Sequence, residues 1–172
     1  DGKFVCIPNG FCMSEWNVNV SEIVLPDKCR LLFSSLHNSG RIVVGLVGSI
    51  EQSDSLGTLV DAAALLKDSN VSFVIVGNGS DKDRLKRLVS SERLNNFYFL
   101  ASVDKSCIPA IVSHFDVAYM GGVHSILHKY GTSFNKLTDY MLSSKPIIES
   151  IDEPNSIVER VGCGLRIEAE NA

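Results

Sequence analysis

Three polar side chains stand where one turn of helix would gather them: Asn135, Lys136 and Asp139. They follow a polar loop, Gly131-Thr132-Ser133, in the run Y-G-T-S-F-N-K-L-T-D-Y-M-L-S-S-K-P-I-I from Tyr130 to Ile148. Leu137, Tyr140 and Met141 recur at helical spacing, which predicts a short amphipathic helix with Ser133 as its N-cap. Helical side chains lean toward the N-terminus, so Asn135, Lys136 and Asp139 point at whatever lies over the loop. A helix start offers unsatisfied N–H groups and a partial positive charge, which suits a phosphate. Lys136 adds a full charge. Asp139 is a poor phosphate ligand but a good acceptor for a sugar's hydroxyls. The combination points to a nucleotide or nucleotide-sugar with its ribose on Asp139. The same pattern also suits an ordinary capped surface helix, and this stretch alone does not separate the two.

The elements that must position these residues form a regular series. Ile42 to Val47 is a continuous apolar run, as expected of a strand covered on both faces, and Gly48-Ser49 follows it. Leu56, Leu59, Val60, Ala63 and Leu66 mark a helix. Val71 to Val76 is a second strand, ended by Gly77-Asn78-Gly79. Asp81 opens a helix with Leu85, Leu88 and Val89 inward and Lys82, Arg84, Lys86, Arg87 and Arg93 on a charged face. Phe97 to Leu100 is a third strand. Ser106 is the expected cap of a helix that carries Pro109 in its first turn and Ile108, Ile111, Val112 and Phe115 inward. Val117 to Met120, ended by Gly121-Gly122, is a fourth strand. Lys145-Pro146 stops the helix of the opening stretch, and Pro146 to Ile148 and Leu165 to Ile167 read as the last two strands, with a short helix at Asn155 to Val161 between them. Before the series, Phe4 to Ile7 is an apolar run closed by Pro8-Asn9-Gly10. Residues 11 to 26 read as irregular, and Asp27 to Leu36 as a short helix with Leu31, Leu32 and Leu36 apolar.

Strand, helix, strand repeated in this way predicts an α/β fold: a Rossmann-like three-layer sandwich around a doubly wound parallel sheet of about six strands. Ligands of such sheets bind outside the carboxyl ends of the strands. Those ends carry Gly48-Ser49, Gly77-Asn78-Gly79, Ala101-Ser102-Val103 and Gly121-Gly122, small residues that let a ligand approach the backbone.

Composition removes several classes of function. The 172 residues, 45% hydrophobic, suffice for one α/β domain and are short for two. A net charge of -4 gives no support to a general nucleic-acid binder. The 5 Cys are widely spaced with no C-x-x-C, so neither a zinc knuckle nor a disulfide framework is indicated, and a reducing, cytoplasmic setting is expected. No apolar run reaches the roughly 20 residues of a membrane span, and no signal peptide is visible. The sequence opens at Asp1-Gly2 and stops after a strand-like segment, so an excised piece of a longer protein is expected. Gly77-Asn78-Gly79 lacks the third Gly and the position of a dinucleotide fingerprint, and no Walker A sequence occurs. His124 and His128 have the spacing of a helical metal pair but no Glu between them. His124, soon after Gly121-Gly122, is placed to face a ligand. The basic face after Asp81 reads as solvated surface, with contact to an acidic membrane surface as the weaker alternative.

The ordered set of segments resembles the C-terminal, nucleotide-sugar-binding domain of GT-B glycosyltransferases of family 4. The matching segments are I-P-N-G (7 to 10), V-V-G-L-V-G-S (43 to 49), L-x-x-L-V-D-A (56 to 62), V-I-V-G-N-G (74 to 79), F-Y-F-L (97 to 100), D-V-A (116 to 118) and N-K-L-T-D-Y-M-L-S-S-K-P-I-I (135 to 148). The resemblance implies one half of a GT-B fold, with residues 1–40 as linker and first elements and 41–172 as the donor-binding domain. It implies transfer of a sugar from a nucleotide-diphosphate sugar, a UDP-sugar by expectation, to an acceptor in cell-surface polysaccharide synthesis, with retention and with no cofactor or metal. The acceptor domain would lie outside this chain, the catalytic residues with it, and the piece alone would bind donor weakly and transfer nothing.

Of the two Glu that serve the donor in that family, the second falls on Asp139 and the first on Gly131. The departure resembles a bacterial subgroup reading G-x-S-x-N-K-x-x-D-Y-M-x-x-x-K-P, in which Lys136 would carry the phosphate contact. The family's basic residues after the first strand fall on Ser49 and Asp54. The donor-binding set implied is Gly48, Ser49, Gly77, Val103, Gly131, Thr132, Ser133, Asn135, Lys136 and Asp139, with the base near Gly77 and the backbone of Ala101 to Val103. The alternatives are a non-catalytic nucleotide-sugar-binding or interaction domain of the same shape, and a nucleotide-sugar 2-epimerase, for which no acid–base pair is visible.

Overall fold

The computed structural model describes residues 10–172 apart from residue 17. The apolar run at Phe4 to Ile7 and most of the I-P-N-G segment lie outside the described residues. The chain runs α1 (Met13–Trp16), α2 (Asp27–Asn38), β1 (Ile42–Ser49), α3 (Leu56–Leu65), β2 (Val71–Asn78), α4 (Lys82–Ser91), β3 (Phe97–Leu100), α5 (Ile108–Ser113), β4 (Val117–Gly121), α6 (Asn135–Leu142), β5 (Ile147–Ser150), α7 (Ile157–Val161) and β6 (Gly164–Ile167). Short 3-10 turns at Val20–Glu22, Gln52–Asp54, Lys105–Cys107 and Ile126–Tyr130 punctuate the connections.

The six strands form one sheet in the order β3-β2-β1-β4-β5-β6, and every pair is parallel. The direction of winding reverses between β1 and β4, and a doubly wound sheet places its ligand crevice at that reversal. Strand residues alternate between two cores because successive side chains point to opposite faces. Val43, Val47, Val74, Val76, Ala118 and Met120 pack with Phe33, Ile111, Phe115 and Tyr140 on the face of α2, α5 and α6. Val44, Leu46, Phe73 and Ile75 pack with Leu56, Leu59, Val60, Leu85 and Val89 on the face of α3 and α4. Helices on both sides explain why the strands read as unbroken apolar runs rather than as alternating ones.

Local readings differ from the structure at several boundaries. The inward side of α2 is Cys29, Phe33 and Leu36, while Leu31 is exposed. Phe33 stacks on His114 with 4.7 Å between ring centroids, so the aromatic side chain, rather than the leucines, docks that helix. The N-cap of α5 is Cys107, not Ser106, because a 3-10 turn from Lys105 carries the chain one residue further before the helix begins. Leu66 lies past the end of α3 and is largely exposed. Gly45 sits under α5, where an added Cβ would lie 2.2 Å from the Phe115 ring. Its lack of a side chain lets that ring rest on the β1 backbone.

Candidate functional site

The carboxyl rim of the sheet at the β1–β4 reversal gathers most of the residues singled out above. Helix α6 reaches it from one core face and is fixed by Tyr140, which is fully buried. The Val47 N–H donates to the Tyr140 hydroxyl at 3.2 Å. That bond ties the second turn of α6 to β1 and sets the height of the helix start above the strand end. Burial pushes the Tyr140 phenol far above its ordinary range, so it stays protonated.

The helix start itself differs from the expected form. The N-cap is Phe134, whose side chain cannot cap, and Ser133 does not fill that role. The reason lies one residue earlier: the Thr132 N–H donates to Glu153 Oε1 at 3.2 Å, and its hydroxyl donates to the other oxygen of the same carboxylate. Glu153 follows β5 and is buried. It holds the loop so that the chain turns at Gly131, φ +100°, and enters α6 one residue later than Ser133 would require. The carboxylate beside residue 131 therefore belongs to Glu153.

Lys136 leaves the first turn of α6 toward the end of β1. Its Cε would be 3.9 Å from a Cβ built on Gly48, so lysine and Gly48 meet. Its ammonium donates to Asp54 Oδ1 at 2.9 Å, with side-chain exposures of 13% and 9%. Asp54 closes the Gln52–Asp54 turn in a reciprocal capping box with Glu51. Sequence reasoning offered Lys136 to a phosphate; the structure pairs it with a carboxylate. The Glu51-x-x-Asp54 spacing is a signal for the cap, but nothing local announces its pairing with a lysine far along the chain.

Asp139, one turn further along α6, has different neighbours. It lines a cavity of about 330 Å³ with Trp16, Ile23, Lys105, Ser106 and Ile108. It also lines a neighbouring cleft of about 190 Å³ with Phe11, Trp16, Lys105, Asn135 and Thr138. Asp139, Trp16 and Lys105 are shared by both, so one carboxylate and one ammonium border an aromatic wall. Trp16 and Lys105 carried no signal of their own in the sequence. Val103 is partly buried against the core, while Ser49, Ala101 and Ser102 are exposed on the rim.

Gly77 is buried, and an added Cβ would lie 1.8 Å from the Gly48 carbonyl oxygen. This is a close packing of two strand ends. The Gly77 carbonyl also accepts from Lys82 Nζ at 2.5 Å, and Leu100 O accepts from the same ammonium at 2.9 Å. Lys82 thus ties β2 to β3 instead of facing solvent, and burial lowers its pKa. Arg84 pairs with Asp81 yet stays exposed, as do Lys86, Arg87 and Arg93 on the same basic face. The His124 ring bonds the Asp152 carboxylate. The Ile126–Tyr130 turn is 3-10, so the helical spacing of His124 and His128 does not hold, and among the described residues no group of His, Cys, Asp and Glu could hold a metal. No helix among the described residues is long and apolar enough to cross a membrane.

A doubly wound parallel sheet with a helix start at its reversal is a Rossmann-like α/β architecture, the shape of one half of a GT-B fold. The family model for glycosyl transferases group 1 matches residues 41–172, and the chain belongs to that family. A protein of Escherichia coli (strain K12) named as a colanic acid biosynthesis glycosyl transferase, WcaI, is 26% identical over 73% of this chain and 25% of its own length. Anabaena HepE, solved in complex with UDP-glucose, superposes with a TM-score of 0.68 at 18% identity, over 95% of this chain and 43% of that one. WaaG, a glycosyltransferase involved in lipopolysaccharide biosynthesis, gives 0.64 at 15% identity, over 96% of this chain and 43% of its own. The chain thus spans between a quarter and a half of the length of these relatives.

Proposed function

We propose that this chain is the donor-binding half of a retaining glycosyltransferase that takes its sugar from a UDP-sugar. The observation that carries the reading is the position of Asp139. It borders both rim cavities, one turn inside the start of α6, and lies beside an aromatic side chain. In this reading the ribose hydroxyls donate to Asp139 and the base occupies the cavity between Trp16 and the loop at Val103. The diphosphate lies over Gly48-Ser49, against the amides of the α6 start and Lys136. Those donors are fixed before the reaction and stabilise the charge that develops on the leaving diphosphate, while the ribose contact holds the donor in register. The family and the complex of HepE with UDP-glucose support the choice of donor. The acceptor wall and the catalytic groups belong to a further domain, the setting is cytoplasmic, and Lys86, Arg87 and Arg93 offer contact with an acidic membrane surface. The acceptor is a growing cell-surface polysaccharide.

Calorimetric titration with UDP tests this reading. Asp139→Ala is expected to weaken UDP binding by roughly ten-fold, the loss of a charge-assisted pair of hydrogen bonds. Unchanged affinity would remove the ribose contact and the reading with it. Two observations favour a second reading, a non-catalytic domain of the same shape: Gly131 brings no carboxylate of its own, and Lys136 is already engaged by Asp54. Donor hydrolysis or sugar transfer by the full-length protein would exclude it.

A further inference from the structure

We infer that Asp54 is a built-in competitor for the donor's phosphate: its carboxylate holds the Lys136 ammonium, and a nucleoside diphosphate binds by taking that ammonium away. This rests on the function proposed above and adds a residue that sets how tightly the site holds an anion. A carboxylate oxygen and a phosphate oxygen are the same kind of partner for an ammonium, so only one set of contacts can be optimal at once. The geometry places the two partners in one spot. Lys136 springs from the first turn of α6 and passes over Gly48, and Asp54 meets it from the β1–α3 turn at 2.9 Å.

Asp54 is not a floppy surface partner. Its second oxygen accepts the Glu51 N–H at 3.0 Å, and the Glu51 carboxylate accepts both the Asp54 N–H and the Ser80 hydroxyl. The carboxylate is therefore held in place whether or not Lys136 is present. With both side chains shielded from water, the attraction is not washed out as it is for an exposed pair. The pair also neutralises the one side-chain cation that α6 brings to the rim in its first turn. The site's affinity for a diphosphate is accordingly lower than its amides and lysine would give alone, and it rises when Asp54 loses its charge.

The test is a titration with UDP, and with uridine as the phosphate-free control, of the wild-type chain, Asp54→Asn, Lys136→Ala and the double variant. Asparagine keeps an oxygen for the Glu51 N–H, so the turn stays capped. At low salt, Asp54→Asn is expected to tighten UDP binding by roughly five- to twenty-fold while leaving uridine unchanged. In the Lys136→Ala background Asp54→Asn is expected to bind UDP more weakly than Asp54→Asn alone, because the ammonium that the diphosphate takes is then missing. Equal or weaker UDP binding by Asp54→Asn overturns the inference, as does a double variant that binds UDP as tightly as Asp54→Asn alone. A second measurement needs no variant at Asp54: in wild-type chain carrying 13C-labelled lysine, the Lys136 ε-methylene resonance should shift on UDP addition, and a fixed resonance overturns the inference too. If UDP binds to none of the four proteins, the functional reading falls together with it. If UDP binds and responds to Asp139→Ala but not to Asp54→Asn, only the inference falls.

Discussion

The Val47 N–H, near the end of β1, donates to the Tyr140 hydroxyl of α6 at 3.2 Å. The registered pairing of β1 with β4 stops at Gly45 and Ala118, so beyond it the strand turns to a side chain for a partner. A ring buried in the core thereby sets the distance between the helix start and the rim on which the donor is proposed to lie.

Tyr140→Phe keeps the ring and removes only the hydroxyl. It leaves a buried N–H without its partner and should cost about 1–3 kcal/mol of unfolding free energy, read from urea denaturation. UDP affinity should fall with it, since α6 is then free to shift on β1. Full stability together with full affinity would show that the bond positions nothing.

Gly45 carries a different demand. Any Cβ there would enter the Phe115 ring. Gly45→Ala should destabilise by about 1–3 kcal/mol through overpacking, and a second substitution, Phe115→Leu, should recover part of that loss by withdrawing the ring edge. Additive losses in the double variant would place the strain elsewhere.

The His124–Asp152 contact gives a pH signature. The bond to Asp152, with Glu170 and Glu168 nearby, raises the His124 pKa above its ordinary 6.5. The same bond, with a smaller contribution from the Ala169 N–H, lowers that of Asp152 below its ordinary 3.8. A raised histidine pKa stabilises fully below the unfolded value, and the effect is lost as pH rises through the folded one. A lowered carboxyl pKa stabilises above its unfolded value and is lost as pH falls through the folded one. The stability gap between wild type and His124→Gln should therefore be widest near about pH 5 and close by about pH 9. A gap of equal size at every pH in that range would show that His124 acts only by packing.

The strands, their order of appearance and the two-faced burial were legible because burial on both faces forces unbroken apolar runs such as Ile42 to Val47. The site helix was legible for a similar reason, since Leu137 and Tyr140 must face the core. The cap at its start was not. Ser133 has the right chemistry, but Glu153, from beyond β5, captures Thr132 and delays the helix by one residue. Lys82 was assigned to a solvated face because its neighbours on α4 are charged, yet two carbonyls at the strand ends draw it back. Asp54 and Lys136 were each visible as charged residues near the rim. Their pairing is a property of the tertiary fold, and no window along the chain contains both.

The parallel sheet also carries a cost in time. No two neighbouring strands are joined by a hairpin, so every pairing waits for a crossover to close. Val44 can meet Val117 only after β2 and β3 have been left on the far side. Contacts of such long reach make folding slow, and while it lasts the apolar strands remain open to self-association. Recovery of this chain from denaturant should therefore be governed by concentration and temperature as much as by its final stability.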